Sequence, residues 1–202
     1  MTLSITLIII IITSIISITA FNNQKILGEL MFYPARMKGG REIYRLLTHG
    51  FVHADFFHLF INMLTLFFFG PVLESMIFTS PQYIILYLTA IPAASLFDYF
   101  KHKDNHYYRS LGASGAVSAV VFATIILDPW FKGICLFGIL CLPNILFGAL
   151  YIFYSAYMSK KGGDNVGHNA HLWGGVYGFV FTAIVRPDLF QNFFDRLMHP
   201  SF

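Results

Sequence analysis

Apolar residues in this chain fall in long runs, where a water-soluble fold would alternate them with polar ones. Six runs stand out, at about 3–21, 56–78, 83–100, 111–127, 131–158 and 168–185. Each approaches or exceeds the ~17–25 residues that a helix needs to cross a bilayer core. The pattern predicts an all-α membrane protein, a bundle of six transmembrane helices. The first run has no basic residue ahead of it and outlasts the ~7–15 apolar residues of a signal peptide, so it reads as a retained anchor. Pro143 is expected to kink the long fifth run. Asp128-Pro129 and Ser80-Pro81 read as short turns.

The connection at about 22–55 is the longest, and it is no plain hydrophilic linker. It mixes Lys25, Arg36, Lys38, Arg41 and Arg45 with Phe32, Tyr33, Tyr44, Leu46, Leu47 and Phe51. Such a mixture suits a structured loop lying among lipid headgroups, anchored by its aromatic rings.

Composition agrees with the pattern. The chain is 56% hydrophobic and 11% charged, against roughly 25% charged for a soluble domain. That leaves little for a soluble module, and residues 1–202 read as one membrane domain. The net charge of +3 is spread over loops, which excludes a nucleic-acid surface. Cys135 and Cys141 both fall in the fifth run. If that run is helical they lie about 9 Å apart along its axis, too far for a disulfide, and they read as packing residues.

Three polar features interrupt the apolar runs, where such groups are costly and by default mark function. Gly112-Ala113-Ser114-Gly115 opens the fourth run. Small residues there leave the hydroxyl uncrowded, and the N–H groups of a helix start lack intrahelical partners and can face an oxyanion. The same stretch also reads as a packing face between membrane helices. His171 heads the sixth run, followed on its own helix face by Gly174, Gly175 and Gly178. That glycine face can press on Gly112–Ala116 and bring the imidazole to the serine as a general base. A histidine bonded to a backbone carbonyl fits as well. His58 and Asn62, four apart on one face, are oxyanion donors or else polar glue between helices. His53, His58 and His168 lack the spacing of a zinc site, so no metal and no cofactor is expected.

Together these residues resemble the rhomboid family of intramembrane serine proteases, across roughly 40–186. The resemblance rests on Tyr44-Arg45-Leu46-Leu47-Thr48, Phe51-x-His53-Ala54, His58-x-x-x-Asn62, Gly70-x-x-x-Glu74, Gly112-x-Ser114-Gly115, and Ala170-His171-x-x-Gly174 with Gly178. It implies a six-helix rhomboid-type core with a serine–histidine dyad: Ser114 as nucleophile, His171 as base. Asn62, His58 and the Ser114 N–H would stabilise the oxyanion. Arg45 and Glu74 would be structural, and Gly112, Gly115, Gly174 and Gly178 would support the site. The implied function is a serine endopeptidase that cleaves transmembrane segments of other proteins in the lipid bilayer. The alternative is an inactive rhomboid-like protein that binds membrane helices. Oligomeric state is not specified. The implied location is a bacterial inner membrane with the site facing outward.

Two departures accompany the resemblance. Many bacterial relatives carry an aromatic residue four positions after the nucleophile, stacked on the histidine. Here that position is Ser118, so the histidine is expected to be held by another ring or less firmly. The connections on the proposed active-site side also carry ten of the 13 Lys and Arg residues, whereas the positive-inside rule puts the basic side in the cytoplasm. The family orientation is preferred, because a long interfacial loop need not obey that rule. Lys160–Gly167, rich in glycine, is a candidate cap over the site.

Overall fold

The computed structural model describes residues 4–131, 134–136, 140–161 and 167–199. The glycine-rich part of the candidate cap, residues 162–166, lies outside them. The described residues are all-α apart from one antiparallel strand pair. The long helices are α1 (Ile5–Phe21), α5 (Phe56–Val72, prolonged by a π turn at Leu73–Ile77), α6 (Ser80–His102), α7 (Ser114–Leu127), α8 (Asn144–Lys161) and α9 (His168–Val185). The loop between α1 and α5 folds into short helices, α2 (Gln24–Leu30), α3 (Pro34–Met37) and α4 (Arg45–Thr48). An amphipathic helix, α10 (Pro187–Met198), ends the described chain.

Among the described residues two helices, Phe56–Ile77 and Ser80–His102, are long and apolar enough to cross a membrane, and α1 and α7 are shorter apolar helices. The distribution of side chains on α1 is inverted relative to a soluble bundle. On α1 the buried residues are Thr6, Thr13, Ser17 and Ala20, while Ile11, Ile12, Ile15 and Ile18 face outward. Phe56, Phe57, Phe67 and Phe68 on α5 are likewise exposed. Water would penalise that surface; hydrocarbon does not.

Local signals explain the boundaries. Asp55 caps α5 by accepting from the His58 N–H at 2.8 Å. Thr79 and Gln82 form a capping box at the start of α6, which moves the turn to Phe78–Thr79 and places Ser80-Pro81 inside the helix. Asp128 accepts from the N–H groups of Trp130 and Phe131, the turn expected at Asp128-Pro129. Glu74 accepts from the Thr6 N–H at 2.9 Å. This ties the positive end of α1 to α5.

The fifth run is not one kinked helix. Residues 134–136 and 140–142 pair as an antiparallel hairpin, β1 (Ile134–Leu136) with β2 (Leu140–Leu142), with Cys135 opposite Cys141. Pro143 lies just ahead of α8 and kinks nothing. Cys141 is disulfide-bonded, so its reading as a packing residue fails. The axial rise of a helix does not apply where a register sets two residues face to face. Short apolar runs between Gly and Pro are ambiguous between strand and helix, and this one resolves to strand.

α10 escapes a search for apolar runs because Asp188, Gln191, Asn192, Asp195 and Arg196 break it up. Its buried Phe193 packs on Phe179 with ring centroids 5.6 Å apart, and Trp130 Nε1 donates to the Arg196 carbonyl at 3.0 Å.

α7 is the central helix, buried from Gly115 to Ile126, and α9 is its most intimate neighbour. A Cβ on Gly174 would strike the Gly115 carbonyl, and one on Gly178 the Ala119 carbonyl. Neither neighbour is a side chain that can swing away. Gly178→Ala is therefore expected to cost at least the ~1–3 kcal/mol of an overpacked core, read as a lower Tm in detergent. Gly28→Ala, with nothing within 4 Å of the added methyl and a helical backbone in α2, is the matched control and should leave Tm unchanged or slightly raised.

Candidate active site

The residues just before α7 are held by the loop that precedes α5. Gly112 donates its N–H to the His49 carbonyl at 2.9 Å, and Ala113 donates to His53 Nε2 at 3.2 Å. Gly112 has φ +120°, and a Cβ there would lie 2.7 Å from His58 Cε1, so glycine is required on both counts. These bonds fix where α7 begins and set Ser114 as its first residue.

The two loop histidines have assigned tautomers. His53 Nε2 accepts from Ala113, so its proton is on Nδ1 and is donated to Ser17 Oγ at 2.9 Å, and Ser17 in turn donates to the Phe51 carbonyl. His49 Nδ1 donates to the Arg45 carbonyl at 2.8 Å, leaving Nε2 to accept from Ser95. Both rings are buried. Burial pushes His49 down to about 4; burial, then the neighbouring His58, pushes His53 down to about 3.

Arg45 anchors the same loop from below. Its buried guanidinium donates to the carbonyls of Gly28 and Met31 at 2.8 and 2.9 Å and pairs with Glu42 at 2.6 Å. Three backbone and acidic partners on one buried cation make it the hub of the loop.

A cavity of about 750 Å³ opens beside the start of α7, lined by Ser114, Gly115, His171, His58 and Asn62 among others. Asn62 donates one amide proton to the His58 carbonyl at 2.8 Å; an amide nitrogen carries two. The first turn of α7 faces the same space, where N–H groups have no carbonyl behind them in the helix. His168 is buried and meets His171 edge to face at 6.0 Å. His53 is committed to Ser17 and Ala113, and no group of three or more potential metal ligands exists among the described residues.

Sequence reading overlooked Asp98, a buried carboxylate inside an apolar run. It accepts from Tyr108 at 3.0 Å and from Asn169 at 2.6 Å, and Asn169 is also bonded to Ser159 on α8. The start of α9, two residues before His171, is thereby pinned to α6, α8 and the loop before α7. An ionisable residue at helical depth was itself the missed signal. His49 and Tyr151, which also line the cavity, carried no comparable mark among eight histidines and 11 tyrosines.

A central small-residue helix starting at a cavity lined by serine, histidine and amide groups is the mark of a helical membrane protein with a polar site set among apolar helices. Residues 40–188 match the Rhomboid domain model, and the chain belongs to the rhomboid family, whose members are integral membrane proteins and include serine proteases acting on membrane proteins within the bilayer. It is 28% identical over 187 residues to RHOMBOID-like protein 12, mitochondrial, of Arabidopsis thaliana, covering 85% of this chain but only 54% of that protein. It is 26% identical over 156 residues to Rhomboid protease GlpG of Haemophilus influenzae, covering 77% of this chain and 76% of that protein. One relative is mitochondrial and the other bacterial, so they do not assign this chain to a bacterial inner membrane.

The loop histidines generate a pH prediction. Each must be neutral to make both of its bonds, so the unfolded chain takes up protons near pH 6.5 while the folded chain resists until about 4 and 3. Stability is full above pH 6.5 and falls as the pH drops below it, by up to ~1.4 kcal/mol per pH unit for each histidine. Tm in detergent should be flat from pH 8 to 7 and decline from 6.5 to 4.5. A His53→Asn variant should show a shallower decline; an equally steep one would remove His53 from the account.

Proposed function

We propose that this chain is an intramembrane serine endopeptidase that cleaves transmembrane segments of other membrane proteins. The observation that carries the reading is a single cavity lined at once by Ser114, His171, Asn62, His58 and the first turn of α7. In the proposed mechanism His171 takes the proton of Ser114 as Oγ attacks the scissile carbonyl. The oxyanion is met by the Ser114 N–H, Asn62 and His58. The imidazolium returns its proton to the leaving amine, and water from the cavity then hydrolyses the acyl-enzyme. Gly112, Gly115, Gly174 and Gly178 keep the helices close enough for the dyad. Arg45 and Glu74 hold the loop and α1.

The six spans in this reading are α1, α5, α6, α7, α8 and α9, in one domain. With 14 residues, α7 is about 21 Å long, short of the ~30 Å hydrocarbon core. With its far end at one surface, Ser114 lies well below the other, and the cavity supplies water at that depth.

The test is labelling of the purified protein in detergent with a fluorescent fluorophosphonate, alongside cleavage of a single-span substrate. Ser114→Ala and His171→Ala should each abolish both while leaving Tm intact. Asn62→Ala should slow cleavage by about 10²–10³-fold. Labelling that survives in Ser114→Ala would refute the nucleophile. A folded parent that neither labels nor cleaves would point to the helix-binding alternative.

A further inference from the structure

Ser118 lies one turn along α7 from Ser114, and its hydroxyl meets that of Tyr151 on α8 at 2.7 Å. The ring of the same tyrosine lies over the imidazole of His171, with centroids 6.0 Å apart and planes 26° from parallel. Ser118, Tyr151 and His171 all line the one cavity. One side chain from α8 thus touches α7 with its polar end and α9 with its face. Phe122 and Phe147 pack against the same ring, at 5.7 and 5.8 Å, so the tyrosine is itself held.

A general base works only when its lone pair points at the proton it removes, and the ring torsion of histidine is soft. A flat neighbour laid over one face of the imidazole limits its tilt. The same aromatic face favours the imidazolium once the proton has moved. The hydroxyl bond to Ser118 fixes the tyrosine, and through it the angle at which the base is presented to α7.

We propose that Tyr151 is the positioning residue of His171, keyed to α7 by Ser118. The inference rests on the reading of Ser114 and His171 as nucleophile and base. It makes the ring that steadies the base a contribution of α8, and the serine at position 118 the socket for that ring.

The experiment measures the second-order rate of fluorophosphonate labelling as a function of pH, in detergent, for the parent, Ser114→Ala, His171→Ala, Ser118→Ala, Tyr151→Phe and Tyr151→Leu. Tyr151→Leu is expected to label about 10–100-fold more slowly, as a misplaced catalytic group does, with the midpoint of its pH profile moved down. Tyr151→Phe and Ser118→Ala keep the face and lose the anchor, so each should label about 3–10-fold more slowly than the parent, less than the Leu variant, with an unmoved midpoint; parent-like rates in both would remove Ser118 as the socket. A parent-like rate and midpoint in Tyr151→Leu would overturn the inference. So would equal losses in the Leu and Phe variants, which would assign the effect to the hydroxyl and not the ring. Should Tyr151→Leu fail to fold, Tyr151→Met makes the same comparison with a flexible filler. Labelling that persists in Ser114→Ala or His171→Ala would instead strike the dyad itself, whatever Tyr151 does.

Discussion

Backbone meets backbone where α9 crosses α7, and the rest of the molecule is arranged around that crossing. Gly174 and Gly178 leave no side chain between the two helices, so the carbonyls of Gly115 and Ala119 lie where their Cβ atoms would be. Lipid offers no hydrophobic drive to press two apolar helices together, and close van der Waals contact between small residues supplies the adhesion. The same contact sets the distance between residues near position 114 and position 171, which no local feature of the chain could fix.

The ends of these helices are held by polar groups that work inside an apolar shell. Two neutral histidines carry the backbone before α7 on their accepting or neighbouring atoms, Arg45 gathers the loop carbonyls, and Asp98 pins the start of α9 through Asn169. Each buried polar atom is expensive unless satisfied. A loop bonded this way moves only by breaking several such bonds together, so it frames the cavity rigidly. The exterior of isoleucine and phenylalanine contributes no such direction; it only matches the solvent.

Much of this was legible in the residues. Apolar runs located α1, α5, α6, α7 and α9 to within a few residues, because a membrane helix is written as uninterrupted hydrophobicity. The residues lining the cavity were legible because polar groups in such runs stand out: Ser114 among small residues, His171 ahead of its glycines, His58 and Asn62 on one face. The strand pair at residues 134–136 and 140–142 was not, since strand and helix share the same short apolar vocabulary and only pairing decides. α10 was missed because its amphipathic pattern is broken in sequence and continuous only around a helix. Tyr151 could not be found from sequence, as its contacts join three helices and nothing in its neighbours announces them.

The order of these elements along the chain has a consequence for biosynthesis. His58, Ser114 and His171 leave the ribosome in that order, and the crossing that brings the last two to one cavity needs Gly174 and Gly178, which emerge later still. A nascent chain that has inserted everything up to α8 already holds its serine but has no partner for it. On the proposed reading, reactivity is therefore withheld until α9 packs against α7.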